Sequence, residues 1–276
     1  APLHIEPALH ELDQLKVLLP SVKIFGVSDS EFYKTMPPNA KLYGLPGAVS
    51  SEFDVYRYGY HGISMKSVLA KVKNIMGKLP SKIIICHLGG GSTISAIKDG
   101  KALDTSMGFT PLEGLPMATR VGDIDAGAVI YLAQKMKLSL SELDSFFNSK
   151  CGLFGLSGKT GEIKELLELE VAGDPAAGLA IGLFVYRIKK MIGAYVAALN
   201  GLDLLVFTAT VGERSHIMRS KICADMENLG LVLNGELNQK TVSTDGLIED
   251  GRAPVKIAVI VTDEMREIAQ TVTTGG

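Results

Sequence analysis

The stretch CHLGGGSTISAIKDGKALDTSMGFTPLEGL, residues 86–115, decides how the fold begins. The Ile-rich run 81–88 that leads into its glycines is typical of a buried strand, and residues 92–98 alternate as a second strand does. Asp99-Gly100 is a strong hairpin turn, and residues 101–106 follow it as a third strand. The sequence therefore predicts three strands joined by tight turns, as the antiparallel start of a sheet.

Helices and single strands alternate after this start. Ser139 and Glu142 form a capping-box pattern, and the helix that Asp174-Pro175 begins is predicted to end at Asn200-Gly201. Two more strands are predicted at 202–209 and 255–261, two more helices at about 215–229 and after 261, and a polar loop at 234–254. This order predicts an α/β fold, a mixed sheet with helices on its faces.

The composition excludes several classes of protein. With 276 residues, 46% of them hydrophobic, the chain can bury a core in one or two domains. A net charge of −2 without a basic block argues against a nucleic-acid partner. No apolar run approaches the roughly 20 residues of a membrane helix, and the first residues, APLHIEPALHELDQ, lack the pattern of a signal peptide. Neither membrane attachment nor secretion is expected.

The three cysteines, Cys86, Cys151 and Cys223, are odd in number, widely spaced and set among apolar neighbours. This pattern fits neither a disulfide framework nor a metal cluster. It predicts reduced, buried thiols in a cytoplasmic protein.

The three glycines of the opening stretch lie between two strands. They therefore form neither a Walker loop nor a dinucleotide fingerprint, because both of those open a helix. A glycine hairpin can still point backbone N–H groups at phosphate oxygens, and a plain tight turn is the alternative. FTATVGERS, residues 207–215, also places a glycine just past a buried strand, and KCGLFGLSGKTGEIKE, residues 150–165, adds four more. Since ligands collect beyond the strand ends of open sheets, the first two turns are predicted to line one cleft.

Read together, these segments resemble the acetate and propionate kinase family, which belongs to the superfamily of sugar kinases, Hsp70 and actin. The matching stretches are SEFYKTMP (30–37), YRYGYHGIS (56–64), HLGGGSTISAI (87–97), DTSMGFTPLEGLPMATRVGDID (104–125), CGLFGLSG (151–158), FVYRIKKMIGAY (184–195), FTATVGE (207–213) and TDE (262–264). They span nearly the whole chain in family order, and the long motif at 104–125 makes the resemblance specific. It implies an actin-like (ribonuclease H-like) fold with a mixed sheet flanked by helices.

The resemblance also implies an activity, the reversible transfer of a phosphoryl group between ATP and a short-chain carboxylate, with Mg²⁺. Such a transfer needs in-line positioning, neutralised oxygens and a bound metal. Arg120 is implied to contact the acyl substrate and the phosphoryl group, with an ion pair to Asp123 or Asp125 as the alternative. His61 is implied to stabilise the transition state, and Asp29 to lie near metal and substrate.

The remaining site residues are also implied by the resemblance. Glu264 is implied to organise Mg²⁺, with a favourable charge in a helix first turn as the alternative. The implied substrate-binding residues are Tyr60, Pro111 and His4. The implied nucleotide-binding residues are His87, Gly89, Gly90, Gly91, Glu162, Ile163, Lys164, Thr210, Val211, Gly212, Glu213 and Arg214.

On the nucleotide side the sequence departs from the family pattern. The family's HLGNG reads HLGGG, its Asp and Arg after LSG align with Glu162 and Lys164, and its GIGEN reads TVGER. A branched Thr210 in place of glycine is predicted to obstruct an adenine, and Arg214 in place of asparagine to add affinity for anions. We therefore expect weak binding of ATP. Three explanations of these departures remain open: nucleotide binding is lost, the protein binds a different nucleotide, or it uses a smaller donor such as pyrophosphate.

The family's phosphate loop, Asn-x-Gly-Ser-Ser-Ser, does not occur in the sequence. We expect residues 30–262 to form a C-terminal kinase domain, residues 1–29 and 263–276 to be a partial remnant of an N-terminal domain, and these residues by themselves to be inactive. The alternative is a catalytically inactive relative that serves as a binding or dimerisation domain. The resemblance further implies a cytoplasmic homodimer, with the helix at 175–199 as a candidate contact.

Overall fold

The centre of the fold is one six-stranded mixed sheet. The computed structural model describes the backbone of residues 2–274 and the side chains of residues 8–273. The strands are β1 (Lys82–Leu88), β2 (Ser92–Lys98), β3 (Lys101–Thr105), β4 (Leu204–Thr208), β5 (Gly246–Leu247) and β6 (Lys256–Val259), in the order β3-β2-β1-β4-β6-β5. β1, β2 and β3 pair antiparallel, whereas β1, β4 and β6 run parallel. The predicted mixed sheet with an antiparallel start is confirmed.

Helices cover both faces of this sheet. They are α1 (Pro2–Leu18), α2 (Pro38–Lys41), α3 (Gly47–Phe53), α4 (Gly62–Met76), α5 (Ala126–Met136), α6 (Leu140–Ser149), α7 (Gly152–Ser157), α8 (Ile163–Val171), α9 (Pro175–Leu199), α10 (Ala209–Arg214), α11 (His216–Cys223), α12 (Gly235–Lys240) and α13 (Glu264–Thr274). The predicted capping box starts α6, and the Asp174 side chain caps α9. Within the described residues, no helix is both long enough and apolar enough to cross a membrane.

Two hydrophobic cores lie on opposite faces of the sheet. The stripe of α9 packs into the larger core, where Phe184 and Ile188 are buried beside Ile84 and Phe207 of the strands. The candidate dimer contact at 175–199 therefore has its stripe inside the protein. Met65 and Val68 of α4 pack into the smaller core with Ile85 and Val206. Because both faces are covered, β1 and β4 read as nearly continuous apolar runs.

Three predictions of local structure are wrong. Residues 234–254 are not one loop, because Asn234 accepts a hydrogen bond from the Leu237 N–H and starts α12, and β5 follows. The helix predicted at 215–229 ends at Cys223, since Ala224 is extended and Asp225 has a φ of +56°. The turn after β4 is already helical, because α10 begins at Ala209, before Gly212.

Candidate active site

A cleft of 510 Å³ opens where β1, β4 and β6 end. This is the edge at which ligands collect in open α/β sheets. The first predicted turn supplies Gly89, Gly90 and Gly91, and the second supplies Thr210 and Glu213. The residues that line the cleft are His61, His87, Gly89, Gly90, Gly91, Ala209, Thr210, Glu213, Thr262, Asp263, Glu264, Met265 and Ile268. The two glycine-bearing turns thus share one cleft, as the sequence predicts.

Asp29 holds the segment that carries His61. Its carboxylate accepts hydrogen bonds from the backbone N–H groups of His61 at 2.7 Å and Ile63 at 3.2 Å, and its carbonyl accepts one from Gly62 at 2.8 Å. His61 itself has a φ of +63°, a left-handed conformation that costs a non-glycine residue energy. A Cβ on Gly62 would lie 2.3 Å from the Asp29 carbonyl oxygen. Asp29 therefore fixes the start of α4 and with it the His61 ring.

The rings of His61 and His87 stack on each other. Their centroids are 4.1 Å apart and their planes differ by 13°. Thr93 Oγ1 lies 2.8 Å from His61 Nδ1, and Ser64 Oγ lies 2.9 Å from His87 Nδ1. Burial lowers the pKa of His87 well below its ordinary value, and the charge of the neighbouring His61 lowers it further. His87 is therefore a neutral imidazole at physiological pH.

Arg120 reaches the same point from the long loop. A Cβ on Gly91 would lie 3.3 Å from His61 Nε2 and 3.8 Å from Arg120 Nη1, so both side chains lie against this glycine. The Arg120 guanidinium is half-buried, and burial lowers its pKa below the ordinary value of an arginine, which still leaves it a cation. Gly91 has an ordinary φ, so the need for glycine here is close approach. A cation in a partly desolvated position beside two imidazoles suits an anion such as a phosphoryl group.

Hydrogen bonds hold the loop between β3 and Arg120 in place. The Glu113 carboxylate accepts hydrogen bonds from the Tyr43 hydroxyl and, at 2.7 Å, from Arg57 Nη1. The Tyr43 hydroxyl in turn accepts one from the Phe109 N–H at 2.8 Å. A stretch with few apolar anchors is thus fixed by a polar cluster at its base.

Glu264 lines the cleft, and Asp29, beside the start of α4, is near enough for its charge to act on the Glu264 carboxylate. Burial raises the pKa of Glu264, and the charge of Asp29 raises it further. A divalent cation would relieve this repulsion, and Mg²⁺ is commonly bound by one or two carboxylates together with substrate phosphates and waters. Among the described residues, no group of three or more His, Cys, Asp or Glu side chains is placed to hold a metal. The residues present therefore fit Mg²⁺ in that sparse mode.

Glu213 is a buried clamp between two strand exits. One carboxylate oxygen, Oε1, accepts hydrogen bonds from the backbone N–H groups of Ala209 at 2.9 Å and Thr262 at 3.0 Å. Ala209 has a φ of +63°, so the chain turns sharply where β4 ends. Glu213 therefore ties the turn after β4 to the segment that leads into Glu264.

A second cavity of 220 Å³ adjoins the glycine hairpin. It is lined by Gly89, Gly90, Ser92, Met117, Ala118, Leu153, Gly161, Glu162, Ile163, Phe184, Thr210 and Val211. Gly89, Gly90 and Thr210 belong to both cavities, so the two spaces meet at the hairpin. The apolar walls at Leu153 and Phe184 suit a flat aromatic ring, and the polar cleft suits phosphates.

Some predicted site residues lie apart from these cavities. Lys164 is exposed on α8 and lies 4.0 Å from Glu168, and Arg214 is exposed at the end of α10. Gly212 is buried, and a Cβ there would lie 3.3 Å from the backbone of Phe207. In the described part of the chain, none of the three lines either cavity.

The predicted substrate-binding residues are placed in part. The Tyr60 hydroxyl donates to the Phe109 carbonyl oxygen at 2.9 Å, which ties it to the loop two residues before Pro111. Pro111 is partly exposed in that loop. The side chain of His4 lies outside the described residues.

Three residues that shape the site were not predicted from the sequence. Ser64 and Thr93 are fully buried and hold the two imidazoles, and Phe184 forms a wall of the second cavity. Ser64 lies in the first turn of α4, three residues after His61 at its N-cap, and this closeness in sequence is a usable signal. Phe184 is indistinguishable from core residues in a helical apolar stripe.

Comparison with known proteins identifies the family of the chain. A sequence model of the acetokinase family matches residues 1–270. An acetate kinase of Bacteroides thetaiotaomicron is 43% identical over 271 residues, which are 98% of this chain and 68% of that one. The crystal structure of Porphyromonas gingivalis acetate kinase superimposes with a TM-score of 0.91 at 38% identity, covering 96% of this chain and 67% of that one. A propionate kinase from Francisella tularensis gives a TM-score of 0.92 at 33% identity, covering 98% and 69%.

These matches extend over nearly the whole chain. The expected actin-like fold, a mixed sheet flanked by helices, is confirmed. The chain belongs to the acetokinase family.

Proposed function

We propose that this protein is a carboxylate kinase, which moves a phosphoryl group reversibly between a nucleoside triphosphate and a short-chain carboxylate. The observation that carries the proposal is the meeting of His61, Arg120 and Gly91 at the end of a cleft that also contains Glu264. A cation and ring nitrogens gathered at one point suit a phosphoryl group in transit.

In the forward reaction, a carboxylate oxygen attacks the terminal phosphorus and the bond from that phosphorus to the bridging oxygen breaks. The nucleoside diphosphate leaves with the electron pair, so the products are an acyl phosphate and the diphosphate. Arg120 neutralises oxygens of the phosphoryl group, and His61 is held against the same point by Thr93 and Asp29. Tyr60 and Pro111 border the acyl group from the loop side.

We propose Glu264, with Asp29 behind it, as the site of Mg²⁺. A bound Mg²⁺ would neutralise phosphate charge and orient the donor. Asp29 also caps α4, so its substitution would disturb His61 as well as the metal.

For the donor, we propose that phosphates lie along the glycine hairpin and that a base enters the second cavity. Thr210 is exposed and borders both spaces, so it stands where a base would pass. We therefore propose weak binding of ATP, and keep pyrophosphate as the second candidate donor because the polar cleft would accommodate it without the second cavity.

Calorimetric titration tests the donor. ATP, GTP and pyrophosphate, each with Mg²⁺, are titrated into wild type and Thr210→Gly. We expect the substitution to tighten ATP binding and leave pyrophosphate unchanged. Equal affinity for ATP in both proteins would mean that Thr210 is no obstacle and that ordinary ATP dependence is the better proposal.

An acyl-hydroxamate assay tests the reaction and the acid. The product of the complete reading frame that encodes these residues is incubated with Mg²⁺, acetate or propionate, and ATP or pyrophosphate, and hydroxylamine traps the acyl phosphate. We expect a product that EDTA abolishes. The competing proposal, an inactive relative used for binding or dimerisation, predicts none with any acid or donor.

Two finer proposals concern the chain itself. Because the sequence has no Asn-x-Gly-Ser-Ser-Ser loop, we propose that residues 1–276 alone form acyl phosphate no faster than background. We also propose that residues 30–262 form one domain and that residues 1–29 and 263–276 belong to a second. Exposed apolar side chains such as Val17, Phe25 and Met265 support this division, since they cover no core here.

We propose a cytoplasmic homodimer. Cys86, Cys151 and Cys223 are all free thiols, which supports a reducing compartment. α5 supports the dimer, because its apolar residues Ile130 and Tyr131 are exposed in the described part of the chain.

A further inference from the structure

Hydrogen bonds connect His87, one of the two stacked imidazoles, to the hydroxyl groups of Ser64 and Thr262. Ser64 Oγ lies 2.9 Å from His87 Nδ1 and 2.9 Å from Thr262 Oγ1. Ser64 is fully buried, and His87 is 7% exposed. Thr262 is held independently, because its backbone N–H donates to Glu213 Oε1 at 3.0 Å. The hydroxyl pair therefore has a fixed position relative to the imidazole.

A neutral imidazole has one donor nitrogen and one acceptor nitrogen, so the partner of Nδ1 decides what Nε2 offers. His87 is buried and lies 4.1 Å from the His61 ring, and a cation there would be desolvated and close to any charge on His61. The ring therefore stays neutral. Since Ser64 occupies Nδ1 and the ring lines the cleft, Nε2 is the nitrogen left to a ligand.

Two arrangements of the protons fit the distances. In the first, Thr262 donates to Ser64 and Ser64 donates to Nδ1, so the ring proton is on Nε2. In the second, Nδ1–H donates to Ser64 and Ser64 donates to Thr262, which leaves the Thr262 hydroxyl proton and the Nε2 lone pair for the cleft. In the first arrangement, both hydroxyl protons form hydrogen bonds within the protein, and Nε2–H faces the cleft as a donor for an anion. The second turns a lone pair toward an anion, which is repulsive.

We propose that Ser64 and Thr262 are positioning residues that hold His87 with its proton on Nε2, so that this ring gives the cleft a neutral hydrogen-bond donor for a phosphoryl oxygen. Both the donor role and the choice of tautomer rest on the proposed function, which places an anion in the cleft. Ser64 lies three residues after His61 on α4, so one helical turn positions both imidazoles.

Nitrogen-15 spectra of the histidine rings test the tautomer directly, since the chain has only five histidines. A protonated ring nitrogen and a bare one resonate far apart, and His87→Gln identifies the signals of His87 by their loss. In the wild-type chain we expect a bare Nδ1 and a protonated Nε2. A protonated Nδ1, or a mixture of the two forms, would overturn the proposal.

Substitutions then test the relay. We expect Ser64→Ala and the isosteric Thr262→Val to give a mixture of tautomers, and Thr262→Ser to restore the single form. Ser67→Ala is the matched control, because this hydroxyl lies on the same helix but accepts from the Asp263 N–H, and we expect no change at His87. If Ser64→Ala does not fold, the comparison of Thr262→Val with Thr262→Ser carries the test. A single Nε2–H form that persists in Thr262→Val would show that no relay sets it.

Titration with inorganic phosphate, followed in the same spectra, tests the donor role. Loss of one hydrogen bond should weaken phosphate binding by about two- to tenfold in Ser64→Ala or Thr262→Val, and not in Ser67→Ala. Unchanged affinity despite a changed tautomer would overturn the donor role. No acyl phosphate is measured here, so failure of the proposed function would leave the tautomer result standing.

Discussion

Gly91 is the residue at which His61 and Arg120 come together. A Cβ at this position would lie 3.3 Å from two atoms of the His61 ring, whereas a Cβ on Gly90 would have no described atom within 4 Å. Neither glycine has a positive φ, so alanine at either position costs no backbone strain. An added Cβ would therefore press on His61 at Gly91, whereas at Gly90 it would enter the open cleft.

Gly91→Ala should displace His61 by a few tenths of an ångström and lower acyl phosphate formation by about tenfold or more, because misplaced reacting groups lose rate steeply. Gly235→Ala, at an exposed glycine that begins α12 and has no described atom within 4 Å of an added Cβ, is the control and should stay within about twofold of wild type. Turnover numbers in the hydroxamate assay give the comparison. Equal losses in both variants would contradict the contact between Gly91 and His61.

His87 predicts how stability depends on pH. The pKa of His87 is lowered well below the ordinary value in the folded chain. On acidification, the unfolded chain therefore binds a proton at this residue at a pH at which the folded chain does not. The stabilisation is complete above the ordinary pKa of about 6.5 and is lost as the pH falls toward the folded pKa, with a slope that approaches about 1.4 kcal/mol per pH unit. Between pH 6.5 and 5, wild type should lose stability faster than His87→Gln in urea unfolding. Parallel profiles would contradict a buried neutral His87.

Most residues of the cleft could be predicted from the sequence because they lie in turns that a motif makes recognisable. His61, Arg120 and Gly91 meet, although they are spread over residues 61–120. The clamp role of Glu213 could not be predicted, since it depends on where the N–H of Thr262 lies, 49 residues away in sequence. Long-range hydrogen bonds of this kind leave no local pattern.

At the scale of elements, the exits of β4 and β6 are joined by one carboxylate. Glu213 accepts the N–H groups of Ala209 and Thr262 and is only 8% exposed. Removing the side chain leaves buried donors without an acceptor, and each such donor costs about 1–3 kcal/mol. This junction connects the nucleotide side of the cleft to the start of α13.

Glu213→Ala should lower the free energy of unfolding by about 3 kcal/mol, and Glu213→Gln by less than half of that, because the amide oxygen can still accept. Urea denaturation with an intact slope measures both. Glu236→Ala, at an exposed i,i+4 pair with Lys240 on α12, is the control and should change little. A loss in Glu213→Ala no larger than in Glu236→Ala would contradict the clamp.

Strong local signals predict elements well, and weak ones do not. The capping box of α6 and the Asp174-Pro175 start of α9 are confirmed because their caps use residues within three positions. α12 was missed because Leu237 is the one large apolar residue among its six. Tertiary contacts hold it: Arg219, fully buried, donates to the side chain and the carbonyl of Asn238 at 2.7 Å. A short helix with so little apolar surface carries no periodic signal.

At the scale of the whole molecule, α5 has an apolar face that the described chain leaves uncovered. Ile130 is 61% exposed and Tyr131 58% exposed. We expect light scattering at micromolar concentration to give about twice 29.4 kDa, and Ile130→Asp to shift the mass toward 29.4 kDa, since a buried carboxylate opposes association. Val171→Asp, at an 88% exposed position on α8, should leave the mass unchanged. A monomeric wild type would contradict the dimer.

The most direct test of the central claim is acyl phosphate formation by the product of the complete reading frame, with Arg120→Ala measured beside it. We expect hydroxamate from a short-chain acid, dependent on Mg²⁺. We also expect a loss of about 10²–10³-fold in Arg120→Ala, the size expected when one stabilising charge leaves the transition state. Arg252→Ala, at an exposed arginine paired with Asp250, should match wild type. No product from folded wild type with any acid and donor, or full turnover in Arg120→Ala, would contradict the account.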